Sequence, residues 1–446
     1  MNHNIDSNCC EELLSKFGSP LYVYFEEPMR ENAKEFMNAF KRCIPNFEQY
    51  FAVKATPNIH IMSILKTEGM GFDCSSINEL KLVDKLFDDF NDTVPAKIMY
   101  TSNYTSVEDF EFLLRTKFQN SNLDITINLD DIDGLENLCE ASKNININLP
   151  DLISFRLNPL FGPIVSEVES NILGGSNTKF GIPSTKIIEA YKMAQDKGFS
   201  KFGIHVMTGS CVLDVNYFVD LVNVVFNHVS LIHDTLGIKF EFVDFGGGIG
   251  IPYKPTEKKI NINELAEKMS NAIEENKIKY NLNFDPKIIM ENGRYITGPY
   301  GILLTKCKSI KKGIDDKKFY GLDACMANLM RPGMYGAYHE ILIPKFHCNE
   351  TTKTTETTKT IETTEEMDTE SANVVGTLCE NNDWFAKDRN LPKGIQKNDV
   401  FLISDVGAHG YSMGFQYNSK TRSAEVLINK FGEAIEIRKK ETMCFY

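Results

Sequence analysis

The chain has no Cys-x-x-Cys pair, and its 11 cysteines are odd in number and scattered over 446 residues. Neither a disulfide framework nor a zinc knuckle is therefore indicated, and a reducing compartment is expected. No uncharged apolar run reaches the roughly 18 residues of a membrane span, and Met1-Asn2-His3-Asn4-Ile5-Asp6 lacks the basic patch and apolar stretch of a leader. The cytoplasm is the expected location. Positive charge is outweighed, 48 Lys and Arg against 61 Asp and Glu for a net charge of −13. That balance opposes nucleic acid or an anionic membrane as the main partner. A G-x-x-x-x-G-K-[ST] phosphate loop is also missing. Small-molecule chemistry remains, in a chain whose 42% hydrophobic and 24% charged residues are ordinary for a globular enzyme. Its length exceeds the roughly 250–300 residues at which one core stops growing, so two domains are expected.

Eight short apolar or alternating runs recur at 50–54, 71–74, 97–101, 124–128, 153–157, 202–207, 240–245 and 287–291. Between them lie segments with apolar residues at helical spacing, such as 77–87, 185–197 and 262–276. Strand-like runs alternating with helical patterns imply right-handed βαβ units and a parallel sheet, and eight of them fit a closed barrel. The expected fold class is α/β, a (β/α)8 TIM-like barrel over 25–300 followed by a mostly β domain over 301–446, which 1–24 joins. The β domain is read from strand-like pieces at 301–309, 318–322, 374–379, 400–404 and 424–429. Within it, 350–372 is almost wholly Thr, Glu and Lys, too polar to offset its ordering entropy, and is expected to be a disordered insertion. Chemistry in such barrels gathers where strands end. Lys54, Asp73, Ser102, Asn158, His205, Gly246 to Gly248 and Glu291 to Arg294 fall there.

Lys54, in Phe51-Ala52-Val53-Lys54-Ala55-Thr56-Pro57-Asn58, ends an apolar strand. Partial desolvation there disfavours the ammonium and leaves an amine able to form an imine with a carbonyl cofactor. A strand-end lysine is also read simply as a solvated group. Val243-Asp244-Phe245-Gly246-Gly247-Gly248-Ile249-Gly250 closes another strand with glycines, which lets backbone N–H groups approach a phosphate; a tight turn is the structural alternative. A dinucleotide fingerprint fails, because its third glycine would fall at Ile251 and Pro252 follows instead of a helix. Glu291-Asn292-Gly293-Arg294 sets a carboxylate and a guanidinium at the last strand end. A carboxylate facing a pyridine nitrogen keeps that ring protonated, and arginine suits phosphate or carboxylate. An imine former, a ring-nitrogen partner and a phosphate cradle are what pyridoxal 5'-phosphate requires. In the second domain, Cys379 reads either as an inert thiol or as an acid, since only an electropositive, open setting makes a cysteine reactive.

These residues resemble the fold-type III pyridoxal-phosphate-dependent decarboxylases, and within them the diaminopimelate decarboxylases, over nearly the whole chain outside 350–372. Y-A-V-K-A-N corresponds to Phe51-Ala52-Val53-Lys54-Ala55-Thr56, and F-D-x-A-S-x-x-E-L to Phe72-Asp73-Cys74-Ser75-Ser76-Ile77-Asn78-Glu79-Leu80. E-P-G-R appears as Glu291-Asn292-Gly293-Arg294, M-R-P-x-x-Y as Met330-Arg331-Pro332-Gly333-Met334-Tyr335, and C-E-x-x-D as Cys379-Glu380-Asn381-Asn382-Asp383. The resemblance implies that Lys54 carries the cofactor, Glu291 pairs with its ring nitrogen, and Ser210, Gly247, Gly248, Gly293, Arg294 and Tyr417 surround its phosphate. It implies that Arg294, Arg331, Tyr335 and Glu380 bind substrate. Cys379, supplied across a homodimer, would reprotonate the carbanion, with Lys54 the other catalytic residue. Two positions depart from the pattern. H-x-H-I-G-S becomes His205-Val206-Met207-Thr208-Gly209-Ser210, so either His205 or Met207 covers the cofactor ring, and G-A-Y becomes Gly407-Ala408-His409. The implied reaction is decarboxylation of meso-2,6-diaminopimelate to L-lysine, the last step of lysine biosynthesis. The alternatives are another basic amino acid as substrate (ornithine, arginine or carboxynorspermidine) or a non-catalytic relative.

Overall fold

The computed structural model describes residues 5–88, 95–162, 172–346 and 368–443. They form two compact units, Pro28–Thr297, and Met1–Glu27 together with Gly298–Tyr446.

Strand β1 (Leu21–Phe25) belongs to the second of these units, and the next strands build the first. They are β2 (Phe47–Ala52), β3 (Gly71–Cys74), β4 (Ala96–Ser102), β5 (Leu123–Leu129), β6 (Leu152–Asn158), the short β7 (Ile182–Pro183), β8 (Lys201–Val206), β9 (Phe240–Asp244) and β10 (Lys287–Met290). Their order is β5-β4-β3-β2-β10-β9-β8-β6-β7, and a further β5–β6 pairing closes the ring into an eight-stranded parallel barrel. Tyr50, Met99, Phe242 and Ile289 pack together as a core cluster contributed by four of these strands. Gly203 makes room for it, since a Cβ there would meet the Phe242 ring at 2.0 Å.

Helices between the strands bury one face, as their apolar spacing dictates. In Ile262–Lys279 the Asn261 side chain accepts the N–H groups of Asn263 and Glu264, and Leu265, Met269 and Ile273 face inward. Val215–Leu236 is long and apolar enough to cross a membrane by length and composition, but it packs against Ile262–Lys279 as part of the barrel's outer ring.

The second unit is a sheet of β11 (Gly301–Lys312), β12 (Lys318–Leu322), β13 (Ile341–Leu342), β14 (Thr369–Val375), β15 (Trp384–Pro392), β16 (Val400–Ile403), β17 (Ala424–Ile428) and β18 (Ala434–Arg438), joined by β1. Strand β1 lies between β11, to which it is antiparallel, and β17, to which it is parallel.

Residues 350–367 of the expected insertion lie outside the described residues. Thr369–Ala372, read from sequence as its end, is instead the start of β14, because pairing with β15 throughout, and with β12 from Ala372 onward, satisfies a polar backbone that composition alone would leave in water. Lys54, expected at a strand end, follows β2 by one residue in the 3-10 turn Val53–Ala55.

Candidate active site

Lys54, Asp73, His205, Asp244 and Glu291 stand at the C-terminal ends of β2, β3, β8, β9 and β10, where a parallel barrel presents its ligand-facing groups. Lys54 Nζ donates to Asp73 Oδ2 at 2.6 Å and to Ser75 Oγ at 3.2 Å. Nearly half of the Lys54 side chain (48%) stays open while Asp73 is buried. Crowding by protein acts to lower the Lys54 pKa, but the Asp73 and Glu291 carboxylates outweigh it, and the net direction is upward. This corrects the expectation of a readily freed amine: the neighbouring carboxylates, which sequence does not place, hold the proton on. Burial and the Glu291 charge push Asp73 up to about 7 against the pull of Lys54.

His205 Nε2 lies 3.0 Å from Glu291 Oε2, both groups buried. Burial draws Glu291 upward, yet the His205 imidazole and the Lys54 ammonium outweigh it and hold the carboxyl below its usual value. Asp244 goes the other way, raised well above the carboxylate range by burial and then by the Glu291 charge. Glu291 Oε1 and Asp244 Oδ2 have no conventional donor between them. A proton kept on Asp244 would supply one, in keeping with the upward direction at Asp244 and the downward one at Glu291. Ligand atoms of His205, Asp244 and Glu291 fall within 4.8 Å of one another, a set that a metal could also bridge.

The glycine run is threaded between two backbones. A Cβ at Gly247 would lie 2.4 Å from the Glu291 carbonyl oxygen, and one at Gly248, whose φ is +102°, 2.4 Å from that of Gly209. Glu291 N–H donates to the Gly246 carbonyl at 2.7 Å, and Val212 N–H to that of Gly248 at 2.9 Å, so the strap carrying Ser210 lies along the glycines. Gly293 packs on the Lys54 turn, since a Cβ there would approach Ala55 to 2.7 Å. Arg294 Nη1 donates to Tyr253 at 2.6 Å, while its buried Nε has no partner. Met207 Sδ accepts the Gly247 N–H at 3.3 Å. Of the two residues that could cover a ring, His205 is thus bound to Glu291 and Met207 to the glycine run.

Within the β unit the remaining candidates also converge. Arg331 and Tyr335 bound the short helix Arg331–Tyr335, which lies on the turn after Cys379 and Glu380: a Cβ at Gly333 would meet the Asn382 carbonyl at 2.2 Å. Asp383 fixes that turn by accepting the N–H groups of Met326 at 2.5 Å and Leu378 at 2.6 Å. Cys379 is exposed, and its N–H donates to Asn418 Oδ1 at 2.8 Å, which sets Tyr417 nearby. Glu380 is exposed, whereas Arg331 is buried with Nη1 2.9 Å from His339 Nε2. His409 has the left-handed φ of 57°.

Sequence reasoning missed Asp244 and Tyr253 as site residues, and it marked Asp73 only as a polar strand end. The first two carry no local signal, because their partners Glu291 and Arg294 are more than 40 positions away.

The residues present fit pyridoxal phosphate. A lysine stands beside a buried Glu291 held below its usual value, an arginine carries an unpartnered buried N–H, and Gly247 and Gly248 leave no room for a Cβ, with the Gly247 N–H met by the soft Met207 thioether. The model of the pyridoxal-dependent decarboxylase pyridoxal-binding domain matches residues 30–298. Diaminopimelate decarboxylase of Methanothermobacter thermautotrophicus is 37% identical over 97% of this chain and 91% of its own length. Protein TabA of Pseudomonas amygdali pv. tabaci is 34% identical over the same shares. The crystal structure of diaminopimelate decarboxylase from Helicobacter pylori complexed with L-lysine aligns with a TM-score of 0.80 at 27% identity, covering 97% of this chain and 96% of that one. A barrel built on these groups, matched over more than half the chain by the family's own model, belongs to the pyridoxal-dependent decarboxylases, and its cofactor is pyridoxal 5'-phosphate.

Proposed function

We propose that the protein removes one carboxylate from meso-2,6-diaminopimelate, releasing L-lysine and CO2. The observation that carries this reading is the 37% identity to a diaminopimelate decarboxylase over nearly the whole of both chains. It is supported by the Helicobacter pylori relative's complex with L-lysine, the product this reaction releases.

When bound, the cofactor supplies an electron sink for the pair left on Cα as the bond to the carboxylate breaks. Lys54 is the residue that carries it, and the proton Lys54 must lose has an acceptor 2.6 Å away in Asp73, whose carboxyl burial and the Glu291 charge push up to about 7. Glu291, kept ionised by His205 and by the proton on Asp244, offers its negative charge to the pyridine nitrogen. Ser210, Gly247, Gly248, Gly293, Arg294 and Tyr417 hold the phosphate, and His205 orients Glu291. Arg331, Tyr335 and Glu380 bind the substrate's charged groups together with Arg294. The Cys379 thiol returns a proton to Cα.

In this reading the enzyme is a cytoplasmic homodimer, and the exposed thiol and Glu380 serve a site on a second copy of the chain. Mixing Lys54→Ala with Cys379→Ala protein then raises turnover above that of either variant alone.

Substrate identity is tested by CO2 release from meso-diaminopimelate, ornithine, arginine and carboxynorspermidine. Release from diaminopimelate alone is expected, and release from any of the other three in its place would overturn the substrate assignment.

A further inference from the structure

Met207 stands where the chain departs from the H-x-H pattern, and its side chain is packed on the glycine arch. A Cβ at Gly246, whose φ is +64°, would lie 2.9 Å from Met207 Sδ and 3.2 Å from its Cβ, so glycine there leaves room for the thioether. One residue on, Gly247 N–H donates to that sulfur at 3.3 Å. The Met207 backbone is fixed as well. Its carbonyl accepts from Arg156 Nη2 at 3.3 Å. Arg156 is itself buried, with Nη1 3.4 Å from Asp130 and its guanidinium 4.5 Å from the Phe180 ring centroid. The sulfur is thus held against one of the N–H groups that the proposed function gives to the cofactor's phosphate, on a residue that is only half-buried.

A thioether is a weak acceptor, whereas a hydrogen bond to an ionised oxygen is roughly twice as strong as one between neutral groups. A phosphate oxygen therefore takes the Gly247 N–H from Met207 readily. Oxidation reverses that order. Methionine sulfoxide is polar, and its oxygen is a far better acceptor than the sulfur was. It keeps the N–H and repels a phosphate brought beside it.

We propose that Met207 is an oxidation-sensitive switch on cofactor binding: a hydroperoxide converts its thioether to the sulfoxide, which withholds the Gly247 N–H from the cofactor's phosphate. The sulfur lone pair attacks the outer peroxide oxygen, and the O–O bond breaks as the S–O bond forms. The proton of the transferred oxygen passes to the departing one, which leaves as water or, from an organic hydroperoxide, as an alcohol. Sulfur loses two electrons and the peroxide gains them. Methionine sulfoxide reductases reverse the change, which makes it a switch and not only damage. The inference rests on the assignment of Gly247 to the phosphate and not on which amino acid is decarboxylated.

The probe is hydrogen peroxide, applied to the full chain freed of cofactor. Affinities for pyridoxal 5'-phosphate and for pyridoxal, which lacks the phosphate, are then read by absorbance titration. Peptide masses report oxidation at Met207, with the exposed Met443 as the reference for an open side chain. Oxidation of Met207 weakens pyridoxal 5'-phosphate about tenfold or more and pyridoxal about twofold or less. Met207→Gln, which brings an amide oxygen to the arch, weakens the phosphate form selectively without peroxide. Met207→Leu removes the sulfur and with it the response to peroxide, although Cys211 and Cys379 remain in that variant. A Met207 that stays reduced while Met443 is oxidised, unchanged affinity after Met207 is oxidised, or a peroxide response retained in Met207→Leu would each overturn the proposal. Equal affinity of the untreated protein for pyridoxal 5'-phosphate and pyridoxal would overturn the phosphate assignment itself, and the switch with it.

Discussion

The barrel unit and the β unit carry candidate residues in opposite states. In the barrel they are drawn inward: Asp73, His205, Asp244 and Glu291 are buried, the Glu291 charge adds to the upward push on Asp73 and Asp244, and Arg294 keeps a buried N–H unpartnered. In the β unit Cys379, Glu380 and Tyr417 are open to water, while Arg331 already has His339. A buried polar atom without a partner costs about 1–3 kcal/mol, so the barrel holds an arrangement that a charged ligand would relieve. In the proposed reading, the exposed groups of the β unit act in a dry site only once a second copy of the chain covers them. In the same reading, attachment of the cofactor and delivery of a proton fall to different parts of the chain.

That separation can be broken experimentally. Lys54→Ala should abolish the cofactor's visible absorbance and all CO2 release; a surviving band would mean that another amine carries the cofactor. Cys379→Ala should leave the band in place and slow turnover by about 10²–10⁴-fold, the range of a lost general acid. Loss of the band in this variant would erase the distinction between the units. Gly248→Ala forces a Cβ to 2.4 Å from the Gly209 carbonyl at a φ of +102°. It should weaken cofactor affinity and lower stability by about 1–3 kcal/mol, read by titration of the apoprotein and by thermal melts.

The smallest effect concerns the β unit alone. Burial pushes the Asp405 carboxyl up to about 6, with Glu340 adding to the rise and Arg331 opposing it. An unfolded aspartate titrates near ~3.9. Below that pH both states are protonated and the group contributes nothing. As pH rises to about 6 the unfolded chain releases a proton that the folded one keeps, so stability falls, and it stays lower above that. Asp405→Asn should therefore gain about 1–3 kcal/mol near pH 8 and almost nothing near pH 3.5, its left-handed φ of 59° suiting asparagine. An equal gain at both pH values would remove the carboxyl's ionisation as the cause.

The barrel was legible in the sequence because each of its strands is an apolar run ending in a polar or glycine residue, and the eight marked runs overlap β2 to β6 and β8 to β10. Strand β15 escaped notice because Trp384–Pro392 carries Lys387, Asp388 and Arg389 near its middle, charges that an open face tolerates and a period-two pattern does not reveal. In the site, Lys54 and Glu291 could be found from their local motifs. The raised pKa of Lys54 could not, because it depends on Asp73 and Glu291, which only the closed ring of strands brings near. Asp244 was passed over for a related reason: its raised pKa follows from complete burial beside Glu291, a property of packing and not of the Val243-Asp244-Phe245 string.

The position of β1 has a consequence for synthesis. Leu21–Phe25 is flanked by β11 and β17, so its second neighbour is finished only when Ile428 has been made. At ~5–20 residues per second, that is about 20–80 s after the strand itself is translated. The whole of Pro28–Thr297 is made in the interval, so the barrel can form on the ribosome while the first strand of the protein awaits almost the last.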